Sequence, residues 1–142
     1  DLKAREEMAE ASIVAGVAFS HPRTTGSHAC SFPLTNIYGL PHGEACAFTL
    51  DYFLKFNAEH ADGDGRITAL AKDCGFNDAF EMADEITAMK KRMGMRCTLS
   101  EIGCETDEQI DELTKKSMSM LMTRNPITLT QKDIKEMYIK LK

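Results

Sequence analysis

The sequence predicts an all-α domain that spans residues 1–142. Apolar residues recur at three- and four-residue spacing along most of the chain, which is the spacing of one face of a helix. Gly and Pro residues interrupt this pattern at intervals typical of helix ends. No segment alternates apolar and polar residues as a half-buried strand does, and 142 residues suffice for one compact domain.

The first part of the chain predicts three helices. Residues 1–19 begin with charged side chains and continue with small and apolar ones, and Pro22 follows as a helix breaker. A shorter helix is expected over residues 24–38. Pro41 then presets the backbone for a third helix over residues 42–57, whose Phe and Leu content predicts burial.

The second part of the chain predicts four more helices, each with recognisable end signals. Helices over residues 67–74 and 77–93 are each followed by Gly, the residue that most readily closes a helix. Thr106 caps a helix that is expected to reach about Met120. Thr130, with Asp133 three residues later, caps the last helix.

Composition excludes several classes of partner. The net charge is −5 and the lysines are dispersed, so nucleic acid is not expected as the main partner. The densest basic run, residues 90–92 followed by Arg96, is interpreted as a solvated helix end. The five Cys residues form an odd set without a CxxC pair, and no apolar run is long enough for a membrane span. We therefore expect a cytoplasmic protein with reduced thiols and no membrane partner.

His28 and His42 are the candidate metal ligands. Each lies at a predicted helix start among small residues and turn formers, where a neutral imidazole can meet a divalent ion. Two histidines make half of a site, so other ligands are required. In the competing interpretation each histidine caps a helix or is a hydrogen-bonded core residue, and neither binds a metal. Cys30 and Cys46 follow the two histidines closely and are interpreted as thiols that pack as small hydrophobes.

Arg23, Thr24 and Thr25 form a second candidate site, for the substrate. An Arg beside two hydroxyl groups at a helix start, where free N–H groups point outward, suits an anionic group. The alternative is a surface Arg followed by an ordinary Thr cap.

Two segments resemble the iron-containing alcohol dehydrogenase family. The stretch AGVAFSHPRTTGSHACSFPLTNIYGLPHGEACAFTLDYFLKFN is similar to that family's signature region, with a His, a fourteen-residue step and a Pro-His-Gly pattern. The closing TRNPITLTQKDIKEMYIKL resembles the family's Asn-Pro, short loop and capped helix. The resemblance therefore covers essentially the whole chain.

The resemblance implies that this chain is the C-terminal, all-helical half of a two-domain enzyme. Family members place a metal in the cleft between that half and an N-terminal α/β domain that binds NAD(P)H. His28 and His42 would be two of four protein ligands, with an Asp and a His upstream of Asp1. The metal would be Fe²⁺ or, alternatively, Zn²⁺. A start without Met, directly in a helical pattern, agrees with a piece of a longer polypeptide.

The implied reaction is hydride transfer between NAD(P)H and an aldehyde, with the metal as a Lewis acid on the carbonyl oxygen. The isolated chain would be inactive. Arg23, Thr24 and Thr25 beside the metal motif also resemble the branch that reduces phosphonoacetaldehyde, an anionic aldehyde. Many members carry a second His where this chain has Phe32, so the role of that His does not transfer.

Two other classes remain open. Glycerol dehydrogenase and dehydroquinate synthase carry a string similar to His-Gly-Glu-Ala at residues 42–45, although Asn125-Pro126 favours the alcohol dehydrogenases. The remaining class is a non-catalytic helical module that binds a partner chain through its apolar faces. In an isolated chain, exposed apolar surface would also favour self-association into a homo-oligomer.

Overall fold

The computed structural model describes residues 1–142 and confirms the all-α prediction. Eight α-helices run α1 (Leu2–Phe19), α2 (Gly26–Tyr38), α3 (His42–Phe48), α4 (Leu50–Ala61), α5 (Arg66–Asp73), α6 (Ala79–Arg92), α7 (Asp107–Ser117) and α8 (Gln131–Lys140). Two short 3₁₀ helices cover Ser100–Ile102 and Met122–Arg124. The chain contains no strand. No helix combines the length and the apolar composition that crossing a bilayer requires.

One hydrophobic core holds the domain together. Helix α2 packs on α3 and α7, α7 packs on α8, and α4 packs on α6. The side chains of Leu34, Phe48, Ile110, Leu113 and Tyr138 are fully buried where these helices meet. Burying one such side chain stabilises the fold by about 1.5–3 kcal/mol. The core thereby fixes α2 and α3, the two helices that carry the candidate metal ligands.

Helix α1 contributes nothing to this core. Asp1 caps its N-terminus by accepting hydrogen bonds from the N–H groups of Lys3 and Ala4. None of its residues is buried, and Val14 and Val17 are 67% and 71% exposed. A helix of this kind leaves an apolar surface without a partner inside the chain.

The single helix expected over residues 42–57 is wrong, because the structure divides it at Thr49. The Phe48 carbonyl accepts a hydrogen bond from Lys90 Nζ at 3.2 Å. The Tyr52 N–H, which would have bonded that carbonyl in a continuous helix, instead donates to Asp51 Oδ1 at 3.1 Å. A lysine from another helix therefore separates α3 from α4.

The interpretation of residues 90–92 and Arg96 as a solvated basic run is also wrong in part. Lys90 is only 2% exposed and forms an ion pair with Asp51 at 2.7 Å, while Arg96 binds Glu44. Lys91 and Arg92 are exposed as expected. Sequence spacing could not distinguish the paired basic residues from the solvated ones, because the acidic partners lie about forty to fifty residues away along the chain.

The C-terminal helices agree more closely with their capping signals. Thr130 and Asp133 form a capping box at the expected position. Thr106 caps α7 as expected, and the structure adds a capping box with Gln109. Helix α7 stops at Ser117, earlier than expected, because Met118 adopts an extended conformation.

Candidate metal centre

The structure brings His28 and His42 together. His28 lies in the first turn of α2, and His42 is the first residue of α3. Between the two helices Gly39 adopts a left-handed conformation, with φ of 68°, which closes α2 and lets the chain reverse direction. The two imidazole rings lie 4.9 Å apart, nearly perpendicular to each other.

Cys46 completes a cluster of three metal-binding side chains. It follows His42 by four residues and so shares its face of α3. Its Sγ lies 3.5 Å from His28 Nδ1 and 3.6 Å from His42 Nε2, and the three donor atoms lie within 4.8 Å of one another. Around a tetrahedral metal with the usual metal–nitrogen and metal–sulfur bond lengths, nitrogen and sulfur are separated by about 3.5 Å. The donor set therefore fits a divalent transition metal.

Close packing holds the first turn of α2 against α3 and α4. A Cβ atom on Gly26 would lie 2.7 Å from Phe53 Cζ, so only Gly allows this approach. Ser27 Oγ donates a hydrogen bond to the Cys46 carbonyl at 2.6 Å. These contacts on either side of the turn set the distance between His28 and α3.

The environment keeps His28 in the form that binds metals. Partial burial, together with the neighbouring charge of His42, lowers the pKa of His28 below its usual value of 6.5. A lower pKa favours the neutral imidazole, which has a free nitrogen lone pair for a metal ion.

A bidentate ion pair anchors the start of α3. Arg96 Nε donates to Glu44 Oε1 at 2.8 Å, a second guanidinium nitrogen donates to Oε2 at 2.8 Å, and the Arg96 backbone N–H donates to Oε1 at 2.9 Å. These donors lower the pKa of Glu44 to about 2. Because Glu44 lies two residues after His42, the pair ties the histidine's helix to the segment that follows α6.

The predicted substrate residues lie beside this cluster, in the turn between α1 and α2. Arg23 is the chain's only residue other than Gly with a positive φ, at 69°. Arg23, Thr24 and His28 line two neighbouring cavities of about 370 Å³ each, and Thr25 lines the one that Cys46 also reaches. Thr25 is the N-cap of α2, but its hydroxyl makes no capping hydrogen bond. A larger cavity of about 560 Å³ lies elsewhere, between α4 and α8.

Comparison with known proteins decides the family. The model of the Fe-containing alcohol dehydrogenase family, C-terminal, matches residues 1–141. This chain belongs to the iron-containing alcohol dehydrogenase family. The match confirms the family that the two signature segments indicated. It also confirms that the chain corresponds to the C-terminal part of family members.

Solved and curated members of the iron-containing alcohol dehydrogenase family resemble the chain throughout. A sulfoacetaldehyde reductase from Bifidobacterium kashiwanohense, solved with NAD⁺, is 48% identical with a TM-score of 0.92, over 98% of this chain and 36% of its own. An iron-containing alcohol dehydrogenase from Thermococcus thioreducens is 28% identical with a TM-score of 0.83, over 99% of this chain and 38% of its own. An alcohol dehydrogenase from Thermococcus barophilus is 32% identical, over 97% of this chain and 36% of its own length. The chain thus spans little more than a third of these relatives.

Phe32 lies beside the candidate metal ligands. Its ring packs edge-on against His28 at 5.0 Å between centroids and lies 6.2 Å from the ring of His42. At the position where the resemblance implied a second His, this chain therefore has an apolar ring. The Phe32 side chain can neither donate nor accept a proton.

Sequence reasoning identified both histidines and the neighbouring Arg-Thr-Thr segment, but it set aside Cys46. The four-residue spacing from His42 was a usable signal, since such residues share a helix face. It also gave no role to Arg124, which lines one of the two cavities together with Arg23 and His28. Arg124 lies near the C-terminal end of the sequence, far from both histidines, so no local sequence pattern relates it to them.

Proposed function

We propose that residues 1–142 form the helical, metal-binding domain of a metal-dependent alcohol dehydrogenase that reduces aldehydes with NAD(P)H. The observation that carries the proposal is the convergence of His28, His42 and Cys46, with donor atoms within 4.8 Å. In this proposal an additional α/β domain binds NAD(P)H. The greater length of the relatives, and the NAD⁺ in the structure of one of them, support that arrangement.

The site's own residues would divide the work as follows. His28 and His42 hold the ion as neutral imidazoles, and Cys46 offers a third donor within reach. Phe32 packs edge-on against His28 and presents no polar group to the cluster. An ion bound there supplies a Lewis acid for a carbonyl oxygen, and a reduced nicotinamide supplies hydride. We propose Fe²⁺ as the native ion and Zn²⁺ as the alternative, since imidazole and thiolate accept both.

We further propose that the substrate is a short aldehyde with an anionic group. Arg23, Thr24 and Thr25 stand at the cavities that His28 lines, which places a cation and hydroxyl groups near the proposed metal. The name of the relative from Bifidobacterium kashiwanohense gives sulfoacetaldehyde as its substrate, and phosphonoacetaldehyde has the same length and a related charge. The same site would oxidise the corresponding alcohols in reverse.

The test is a metal analysis and a reductase assay on a protein in which this chain follows its proposed NAD(P)H-binding domain. His28→Ala and His42→Ala are compared with His21→Ala, a histidine exposed in the turn after α1. Both site variants are expected to lose bound metal and NADH- or NADPH-dependent aldehyde reduction, whereas His21→Ala keeps both. Unchanged metal content in the site variants would mean that these histidines do not bind the metal and would contradict the proposed function.

The isolated chain is expected to be inactive. It contains no Gly-rich dinucleotide-binding motif, so nothing in it would place a nicotinamide beside the metal. Weak metal binding without NADH oxidation is the expected result. Aldehyde reduction by the 142 residues alone would contradict the two-domain proposal.

A further inference from the structure

We infer that Arg124 is a second anion-binding residue, which acts with Arg23 to select aldehydes that carry a sulfonate or phosphonate group. The inference rests on the proposed function and adds to it a specificity-determining residue. Arg23, His28 and Arg124 line the same cavity of about 370 Å³, although they come from the turn before α2, from α2 and from the 3₁₀ helix near the chain's end. Two arginines therefore line the same cavity as a proposed metal ligand.

Both arginines are free to bind a ligand. Neither takes part in any ion pair or side-chain hydrogen bond of the chain. Three of the other four arginines, in contrast, are paired with carboxylates: Arg66, Arg92 and Arg96. The cavity itself is lined by no Asp or Glu, although the chain carries 22 of them. In this acidic protein the charged side chains that line the cavity are both positive, which favours an anion there.

The backbone that carries Arg124 is fixed on both sides. Met122 and Asn125 are buried, at 2% and 6% exposure. The Asn125 amide exchanges two hydrogen bonds with the Asn57 amide on α4, at 2.7 and 3.2 Å, and donates a third to the Ile127 carbonyl at 3.0 Å. The Arg124 side chain itself is exposed and lines the cavity. The backbone at Arg124 is therefore already ordered, and a ligand has to order only the side chain.

The remaining walls of the cavity define the ligand's shape. Guanidinium groups bind oxyanions through paired N–H donors, and a sulfonate or phosphonate offers three oxygens for two such groups. Phe19, Phe32 and Leu121 add apolar side chains to the lining, which suit a short methylene link, and Ser20 and Thr24 add hydroxyl groups. His28 in the same wall puts the proposed metal, and hence the carbonyl end, close to the anionic end. The geometry fits a short aldehyde with a terminal tetrahedral oxyanion.

The first test measures substrate preference in the two-domain protein. The readout is the ratio of kcat/KM for sulfoacetaldehyde or phosphonoacetaldehyde to kcat/KM for propanal, a neutral aldehyde. Arg124→Ala is expected to lower this ratio roughly 10- to 100-fold, because it removes a charge-assisted contact that propanal never makes. Arg124→Lys is expected to lower the ratio less than Arg124→Ala does, since lysine keeps the positive charge but lacks the planar, bidentate guanidinium group. Arg5→Ala, an exposed and unpaired arginine on α1, is the matched control and keeps the parent's ratio.

A second test reads anion binding without any reaction. Calorimetric titration with ethanesulfonate and with ethylphosphonate is expected to show binding to the parent and Arg5→Ala proteins, and at least tenfold weaker binding to Arg124→Ala. The tighter of the two ligands identifies which oxyanion the site takes. Equal binding by parent and Arg124→Ala, or an unchanged preference ratio, overturns the inference.

Loss of metal and of propanal reduction in His28→Ala would still uphold the proposed function in that case. If the parent reduces no aldehyde, the proposed function fails, and the titration decides the role of Arg124 separately.

Discussion

Lys90 Nζ binds the Asp51 carboxylate at 2.7 Å and the Phe48 carbonyl at 3.2 Å in the same buried contact. Lys90 belongs to α6, while Phe48 ends α3 and Asp51 lies in the first turn of α4. The Lys90 ammonium group therefore bonds the Phe48 carbonyl, which the backbone of a continuous helix would have bonded. It also links α6 to the junction between α3 and α4. Because of the break, His42 and Cys46 lie on a short helix that is separate from α4.

We predict that Lys90→Met destabilises the chain by about 3 kcal/mol, because it leaves a nearly buried carboxylate without its partner. Asp51→Asn should cost a similar amount for the converse reason. The double variant should be less destabilised than the sum of the two, since no unpaired charge remains. Urea denaturation followed by circular dichroism gives all three values. Strict additivity would mean that the pair does not interact in solution.

Gly26 provides a test of the packing that positions His28. Gly26→Ala should destabilise the chain by about 1–3 kcal/mol, because the added methyl group overlaps the Phe53 ring. It should also weaken metal binding, since α2 must move away from α4. Gly16→Ala is the matched control: no atom lies within 4 Å of its new Cβ, and Ala favours the helix. Thermal unfolding and metal titration of the two variants measure both effects. Equal unfolding midpoints would show that Phe53 yields without cost.

The fold was predictable from the sequence where the controlling signals are local. Thr130 and Asp133 are three residues apart, and the structure contains the capping box that this spacing predicts. The division at Thr49 was not predictable, because it depends on Lys90, about forty residues further along the chain. No propensity within residues 42–57 contains that information. Helix ends set by long-range contacts are found only when the tertiary structure is known.

The same distinction holds for the candidate site. His28 and His42 stood out because each lies among small residues and turn formers, which is a local pattern. Their approach to 4.9 Å depends on the reversal at Gly39, also visible in the sequence as a helix stop. Arg124 joins them only through the anchoring of Asn125 to Asn57, a contact between distant segments. Sequence spacing could therefore identify the proposed metal ligands, and it could not identify every residue of the proposed anion site.

Acid should weaken the start of α8 through Asp133. The Thr130 hydroxyl and backbone N–H both donate to its carboxylate at 2.7 Å and lower its pKa from the usual 3.8, and the charges of Lys132 and His60 act in the same direction. A carboxylate whose pKa is lower in the folded state contributes stability that is fully present above the unfolded-state pKa. That stability is lost as the pH falls through the folded-state value.

The measurement is the difference in free energy of unfolding between the parent and Asp133→Asn, taken from pH 6 to pH 2.5. We expect the parent's advantage to be constant above about pH 5 and to shrink below pH 3.8. Other carboxylates titrate equally in both proteins and cancel in the difference. A difference that grows as the pH falls would have the wrong sign for this assignment.

Cys46 reports directly on whether an ion occupies the proposed centre. Its Sγ lies 3.5 and 3.6 Å from the two imidazole nitrogens, so an ion held between the histidines either binds the sulfur or covers it. We predict that Zn²⁺ slows alkylation of Cys46 by iodoacetamide at least tenfold, whereas the exposed Cys74 reacts at the same rate with and without the ion. Peptide mapping by mass spectrometry separates the two thiols. In His42→Ala the protection of Cys46 should disappear while the rate at Cys74 stays constant. Protection that survives in His42→Ala would show that His42 does not hold the ion, which would contradict the proposed centre.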